Sequence, residues 1–114
     1  MTAEAALSAP ALVVFTMALL WGLVAAAAQI QCVDAARAGA RAVARSEPEA
    51  SAVEAARTVA PDGARVVVER AGDLWRVRVE APAPGPASWG VTLRAEAAAL
   101  AEDAVGEAPA EDGP

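Results

Sequence analysis

The chain has 114 residues, a formal net charge of −6 at pH 7, no His, and a single cysteine, Cys32. A chain of this length has room for one small domain, and its acidic balance argues against a nucleic-acid partner, because phosphate binding needs clustered cations. A single cysteine excludes an internal disulfide, and the lack of His excludes the common zinc sites. Without a histidine base or a recognisable catalytic spacing, we expect no enzyme, no metal site and no cofactor.

The first long element is an apolar segment near the amino terminus. No charged residue occurs between Glu4 and Asp34. This run exceeds the ~20 residues that a helix needs to cross the ~30 Å hydrocarbon core of a bilayer. A membrane-spanning helix is therefore predicted from about Leu7 to Ile30. Pro10 lies near its start, where we expect a bend and not a break.

Helical periodicity continues beyond this apolar segment. Four charged side chains between positions 34 and 45 recur at three- or four-residue spacing, and a stripe of small residues lies opposite them. One helix is therefore predicted over about 4–45, with roughly four turns projecting beyond the bilayer. Small residues that could let helices approach closely are Gly22, Ala36, Gly39 and Ala40.

A second helix is predicted after residue 45. Ser46 can cap it, with Glu49 three residues later completing a capping box and Pro48 in the first turn. Apolar residues at helical spacing give this helix one face to bury, and the sequence Pro-Asp-Gly at 61–63 ends it.

The periodicity then changes to two, which predicts a β-hairpin. Its strands are 65–70 and 74–79, joined by a turn at 71–73. Trp75, Val77 and Val79 share one face, which we expect the second helix to cover. The intervening charged residues then face solvent.

Proline dominates the segment after the hairpin. Residues 81–87 are predicted to form a stiff, exposed connection that cannot continue a strand. Alternation from Val91 to Ala97 favours a third antiparallel strand, but residues 94–104 are good helix formers, so both interpretations stay open. The acidic tail from Ala101 onward is predicted to be disordered. The predicted fold is α+β, divided into a long helix (1–45), a small domain (46–100) and a tail (101–114).

Two residues in the amino-terminal part stand out. Glu4 is the only acid in the apolar region, and by position alone the helix dipole or the lipid headgroups account for it. Cys32 is interpreted as a small apolar side chain in helix packing, with an intermolecular disulfide as the alternative. Gln31 directly before it excludes a lipoprotein attachment motif.

A secretory signal peptide is the main alternative to a membrane anchor. Ala25 to Ala27 resemble the small residues before a cleavage site, which predicts a mature protein starting near Gln29. Against this, no positive charge precedes the apolar segment, which is about twice as long as the ~7–15 residues of a signal peptide's hydrophobic region. Arginines follow the span, so the positive-inside rule taken alone places the C-terminal domain in the cytoplasm.

Two stretches of the chain carry a family resemblance. The first is Thr2–Leu7, leading through Pro10 into the apolar helix, and the second is Asp34–Arg41, which reads Asp-Ala-Ala-Arg-Ala-Gly-Ala-Arg. Together with the hairpin they resemble the TadE-like family of minor pilins from tight-adherence (Flp-type) pilus systems, particularly its short actinobacterial members.

The resemblance implies a pilin-like subunit that helps to assemble a pilus or a related secretion apparatus. Its implied partners are the lipid bilayer, other pilin or pseudopilin subunits and pilus assembly proteins. It also implies a precursor with a short basic leader, which a prepilin peptidase removes on the cytoplasmic side. Such a leader would place the soluble domain outside the cytoplasm, against the charge argument above.

The resemblance also gives Glu4 a role, because it matches the family's acidic position near the start of the helix. An unpaired carboxylate in lipid is unfavourable, and the N-terminal amine of a neighbouring subunit could pair with it during assembly. A membrane-anchored accessory protein that binds a partner complex without entering a filament stays open as an alternative. Substitution of Glu4 distinguishes the two, because only assembly requires the pairing.

Overall fold

A computed structural model describes residues 2–86 and 89–100. Its two helices and three strands are α1 (Ala3–Ala44), α2 (Glu49–Val59), β1 (Arg65–Ala71), β2 (Leu74–Pro82) and β3 (Thr92–Leu100). This arrangement confirms the predicted α+β class. The predicted disorder of residues 101–114 lies outside the described residues.

Helix α1 is continuous over 42 residues and passes through Pro10. Thr2 caps its start, where its side-chain Oγ1 accepts a hydrogen bond from the Ala5 amide at 3.3 Å. The predicted helix from residue 4 to residue 45 is thus confirmed to within one residue at each end.

The end of α1 corrects the prediction for Ser46. Ser46 has a left-handed φ of 64°, its amide donates to the Val43 carbonyl at 3.0 Å, and the Glu47 amide donates to the Ala42 carbonyl at 3.2 Å. These two bonds form a Schellman motif that closes α1. Pro48 is the N-cap residue of α2, with no side-chain capping bond. Ser46 therefore ends the first helix instead of capping the second.

The three strands form one antiparallel sheet in the order β1-β2-β3. In the central strand, Val77 pairs with Val68 on one side and Ala97 on the other. Residues 92–100 are therefore strand, which decides between the two interpretations of this segment. The hairpin turn is Gly72-Asp73, and Gly72 has the left-handed φ of 62° that a tight turn requires.

The prediction that residues 81–87 cannot continue a strand was wrong for the first two of them. Strand β2 extends to Pro82, which pairs with Thr92 of β3. Pairing with β1 has already ended at Glu80, opposite Arg65. Beyond that point β2 has a partner on one side only, so a proline without an amide hydrogen leaves no β1 acceptor unpaired.

The core lies between the sheet and α1, and the prediction that α2 covers the sheet was wrong in its main part. The carboxy-terminal half of α1 packs on β2 and β3, while α2 packs against α1 and reaches β1. Small residues of α1 permit this close approach. The fully buried side chains of β2 are Val77 and Val79, whereas Trp75 is half-buried.

Candidate membrane and assembly surfaces

The amino-terminal part of α1 is an apolar helix that the rest of the chain leaves uncovered. Every residue from 2 to 20 is exposed, and the large apolar side chains here have exposed fractions between 50% at Leu20 and 72% at Leu7. Residues 3–20 span about 27 Å, close to the ~30 Å hydrocarbon core of a bilayer. By length and composition α1 could cross a membrane, which suggests a membrane anchor.

Glu4 lies in the first turn of this uncovered helix and is exposed. Its backbone carbonyl accepts a hydrogen bond from Ser8 Oγ at 2.7 Å. Within residues 2–86 and 89–100, no ion pair or hydrogen bond engages its carboxylate. The side chain is therefore available to a group from outside the subunit, and its role in subunit pairing stays a prediction.

The four small residues singled out for helix packing separate into two groups. Ala36, Gly39 and Ala40 are buried inside the subunit. A β-carbon on Gly39 would lie 3.5 Å from the Ala56 Cβ of α2, so α2 rests directly on this face. Gly22 is exposed, with no atom within 4 Å of a β-carbon built on it. Among these four residues, Gly22 is thus the one still open to a helix from another subunit.

The part of the chain that follows β2 makes a contact with Trp21 that the sequence did not predict. Trp21 Nε1 donates a hydrogen bond to the Pro84 carbonyl, and its ring meets Trp89 edge-on, with centroids 5.5 Å apart at 74°. Gly85 lies beside these rings and has no side chain. A β-carbon at this position would be only 2.9 Å from Trp21 Nε1, which is too close for a normal contact. The connection after β2 therefore folds back against α1 instead of projecting into solvent.

About two turns further along α1, the rest of the chain contacts the helix again. Ala28 is buried, and Gln29 Nε2 donates to the Arg94 carbonyl of β3 at 2.8 Å. One side of residues 21–30 is thus covered by protein, although Leu23, Val24 and Ile30 are still exposed. The only sequence signal for this contact was the pair of tryptophans, one in the apolar segment and one after the prolines.

The outer face of the sheet is charged. Arg78 lies between Glu69 of β1, at 3.6 Å, and Glu96 of β3, at 3.9 Å. Arg76 and Arg94 make similar long pairs at 3.8 Å with carboxylates of neighbouring strands. Across the described parts of the chain, no three His, Cys, Asp or Glu side chains come together as metal ligands. These carboxylates therefore balance arginines, and the face is a solvated surface.

Cys32 lies in the core at 0% exposure, beside the small residues of α1. Burial raises the pKa of its thiol, because the apolar surroundings disfavour the thiolate. This placement fits the interpretation as a small packing residue and leaves no access for a disulfide with another subunit.

Comparison with known proteins agrees with the resemblance noted from the sequence. Residues 1–41 match the family model described as TadE-like protein. A Mycobacterium tuberculosis (strain ATCC 25618 / H37Rv) protein named "Apoptosis inhibitor Rv3655c" is 43% identical over 71 residues, covering 62% of this chain and 56% of the relative. The match thus spans little more than half of that protein. No solved structure matches the chain. The segment that matches the family model is α1 almost in full.

Proposed function

We propose that the chain is a non-enzymatic subunit, similar to a minor pilin or pseudopilin, that serves the assembly of a tight-adherence (Flp-type) pilus or a related secretion apparatus. The observation that carries the proposal is the uncovered helix at residues 2–20, inside the segment that matches the TadE-like family. A helix that is stored in lipid and later packs against other helices must keep its apolar surface free of its own domain.

The proposed location is the cell membrane, crossed once, with the soluble domain outside the cytoplasm and with incorporation into a pilus. Proposed partners are the bilayer, other pilin or pseudopilin subunits, pilus assembly proteins and, for a precursor with a basic leader, a prepilin peptidase. No nucleic-acid partner is proposed, because the net charge of −6 opposes phosphate binding.

Glu4 is the residue proposed to guide assembly. Its exposed carboxylate lies at the start of the apolar helix, where transfer from headgroups into a helix bundle would remove it from water. Pairing with the terminal amine of a neighbouring subunit offsets that loss, because opposite charges attract strongly where water is excluded. Only correctly staggered neighbours bring the two groups together, so the pair also selects the register between subunits.

The test is substitution of Glu4 in the native host, with pili counted by electron microscopy. Glu4→Gln keeps the size of the side chain and removes its charge, and the expected result is loss of pili with normal amounts of membrane-bound subunit. Glu54→Gln is the matched control, since Glu54 is an exposed carboxylate of α2, and it should leave pili unchanged. Normal pili with Glu4→Gln would contradict the pairing and favour the membrane-anchored accessory protein.

The secreted alternative is tested by N-terminal sequencing of the native protein. Cleavage before Gln29 would remove Trp21 and with it the contacts to Pro84 and Trp89, as well as the covering at Ala28. These contacts support a domain that stays joined to the whole of α1. A mature protein that keeps Glu4 and stays with the membrane agrees with the proposal, and one that starts near Gln29 refutes it.

A further inference from the structure

A short apolar loop of the soluble domain lies against the membrane helix. The proline loop, defined as residues 83–86 and 89–91, follows β2 and precedes β3. It is closed at its neck by a hydrogen bond from the Ala83 amide to the Val91 carbonyl at 2.9 Å. The Pro84 carbonyl and the Trp89 ring of this loop contact Trp21 of α1.

The position of Trp21 along α1 sets the height of this loop relative to a bilayer. Glu4 and Trp21 are 17 residues apart, which is about 26 Å along a helix. When the Glu4 carboxylate lies at one headgroup level, Trp21 lies close to the opposite boundary of the ~30 Å hydrocarbon core. The loop is fastened to the helix at that boundary.

The composition of the loop suits that level. Positions 81 to 93 carry no charged residue. Two apolar side chains of the loop are exposed, Trp89 to 56% and Val91 to 44%. Tryptophan is enriched at membrane interfaces, where its ring contacts acyl chains and its indole N–H finds a polar partner.

Two backbone amides of the described part of the loop are hydrogen-bonded and two positions have no amide hydrogen, which reduces the number of unpaired donors that are unfavourable in a weakly hydrated region. Pro84 and Pro86 have no amide hydrogen. The Ala83 amide is bonded to Val91, and the Trp89 amide donates to the Pro86 carbonyl at 3.0 Å. Trp21 Nε1 satisfies the Pro84 carbonyl from the helix side.

From these observations we propose that the proline loop inserts into the outer-leaflet interface of the bilayer, beside α1, as a second membrane contact of the subunit. The groove between the loop and α1 also contains the exposed Asp62, so the loop belongs at the headgroup level and not in the hydrocarbon centre. The inference rests on the membrane anchoring in the proposed function, but it does not require assembly into a pilus.

Lipid is favoured over a neighbouring subunit as the binding partner of the loop, because the loop adjoins the apolar surface of α1 that is proposed to lie in the bilayer. Val24, an exposed apolar residue of α1, lines the same groove as Ala83 and Pro84 of the loop, so the loop adjoins the exposed apolar surface of the helix. Any subunit anchored by this helix carries the loop to the membrane boundary, whether or not other subunits are present. Docked on α1 at this level, the loop would fix the height of the domain above the bilayer before assembly.

The test measures the depth of single fluorescent probes on the full chain in phosphatidylcholine vesicles, at low and at high protein density. Cysteines for labelling with an environment-sensitive nitrobenzoxadiazole dye replace Val91, Leu100 or Leu12 in a Cys32→Ala background. Leu100 is the matched control for Val91. Both are exposed apolar side chains, at 56% and 44%, but Leu100 lies at the far end of β3 from the loop. Leu12 reports on the anchor itself. Quenchers are nitroxide lipids labelled at the headgroup or along the acyl chain, and aqueous iodide.

The expected result is several-fold stronger quenching of the Val91 probe than of the Leu100 probe by headgroup nitroxide, with weaker quenching by iodide. Equal behaviour of these two probes, with Leu12 quenched by acyl-chain nitroxide, overturns the inference and leaves the anchor intact. Shielding of Val91 from iodide only at high protein density, without lipid quenching, assigns the loop to a subunit interface and also overturns it. If Leu12 is not quenched either, the anchor in the proposed function fails as well.

A second measurement avoids labels and the Cys32 substitution. Trp75→Phe and Trp75→Phe/Trp89→Phe chains are compared in vesicles with lipids brominated near the headgroup. The difference between them gives the emission that depends on Trp89, which should be quenched by these lipids. Emission of Trp89 that brominated lipids leave unchanged contradicts the insertion.

Discussion

Gly39 of α1 and Val77 of β2 lie so close that no side chain fits between them. A β-carbon on Gly39 would be 2.8 Å from Val77 Cγ1, and Val77 is fully buried. The close approach of helix and sheet, and hence the position of the domain on α1, depends on the absence of a side chain here. The absence of a side chain at Gly39 also explains why most of the helical packing against the sheet comes from α1 and not from α2.

The first prediction follows from this contact. Gly39→Ala should lower the free energy of unfolding by up to ~2 kcal/mol, because overpacking costs about 1–3 kcal/mol and improved helix propensity returns about 1 kcal/mol. The check is urea unfolding in detergent. In a Val77→Ala background the same substitution should be neutral or stabilising. Gly22→Ala, where space is open, should cost nothing, and an equal loss at both glycines would contradict the packing argument.

The second prediction concerns the contact between Trp21 and the proline loop. Trp21→Phe keeps an aromatic ring but removes the donor to Pro84, which should cost roughly 1 kcal/mol of local stability. Amide hydrogen exchange at Ala83 and Trp89 should accelerate several-fold, while exchange in the centre of β2 stays the same. Trp75→Phe is the control, because Trp75 lies on the hairpin away from this loop. Unchanged exchange in the loop would show that the indole bond does not hold it.

The third prediction concerns Cys32. Its thiol is fully buried with a raised pKa, so alkylation of the folded chain should be far slower than that of Val59→Cys in a Cys32→Ala chain, where residue 59 is 38% exposed. Oxidation should give no disulfide-linked dimer on a non-reducing gel. Rapid alkylation or a covalent dimer of the native chain would show that the thiol is accessible.

The raised pKa of Cys32 also predicts a dependence of stability on pH. The thiol has one pKa in the unfolded chain and a higher one in the folded chain. Below the unfolded-state pKa it is neutral in both states, and its contribution to the free energy of unfolding is fully present. It is lost as the pH rises through the folded-state pKa, because the unfolded chain releases the proton more readily. The decline of unfolding free energy at alkaline pH should be smaller for Cys32→Ala, and equal slopes for both chains would contradict this.

The fourth prediction concerns the charged outer face of the sheet. The pairs of Arg78 with Glu69 and Glu96 are long and their side chains are 41% to 51% exposed. Pairs of this kind contribute about 0–1 kcal/mol and weaken with salt. Arg78→Gln should therefore change the free energy of unfolding by less than ~1 kcal/mol, and less at high salt. A much larger loss in thermal unfolding would indicate a structural role for this face.

Much of the fold could be predicted from local sequence patterns. The continuous helix from Ala3 to Ala44 follows from an uninterrupted helical period, and the hairpin follows from alternation around Gly72-Asp73. The sequence does not distinguish strand from helix at positions 94–100, because the intrinsic propensity of Ala and Glu favours helix. Pairing of Ala97 with Val77 in the growing sheet decided for strand.

Of the candidate site, the sequence alone determined the apolar segment, the carboxylate at Glu4 that begins it, and the small residues spaced along one helix, because these depend on residue type and period. The tertiary structure decided which surfaces remain open. Gly39 is closed by Val77 and Gly22 is not, and Trp21 meets a loop more than sixty residues away in the sequence. No local sequence pattern predicts such contacts, because they form only when the helix packs on the sheet and brings segments that are distant in the sequence next to each other.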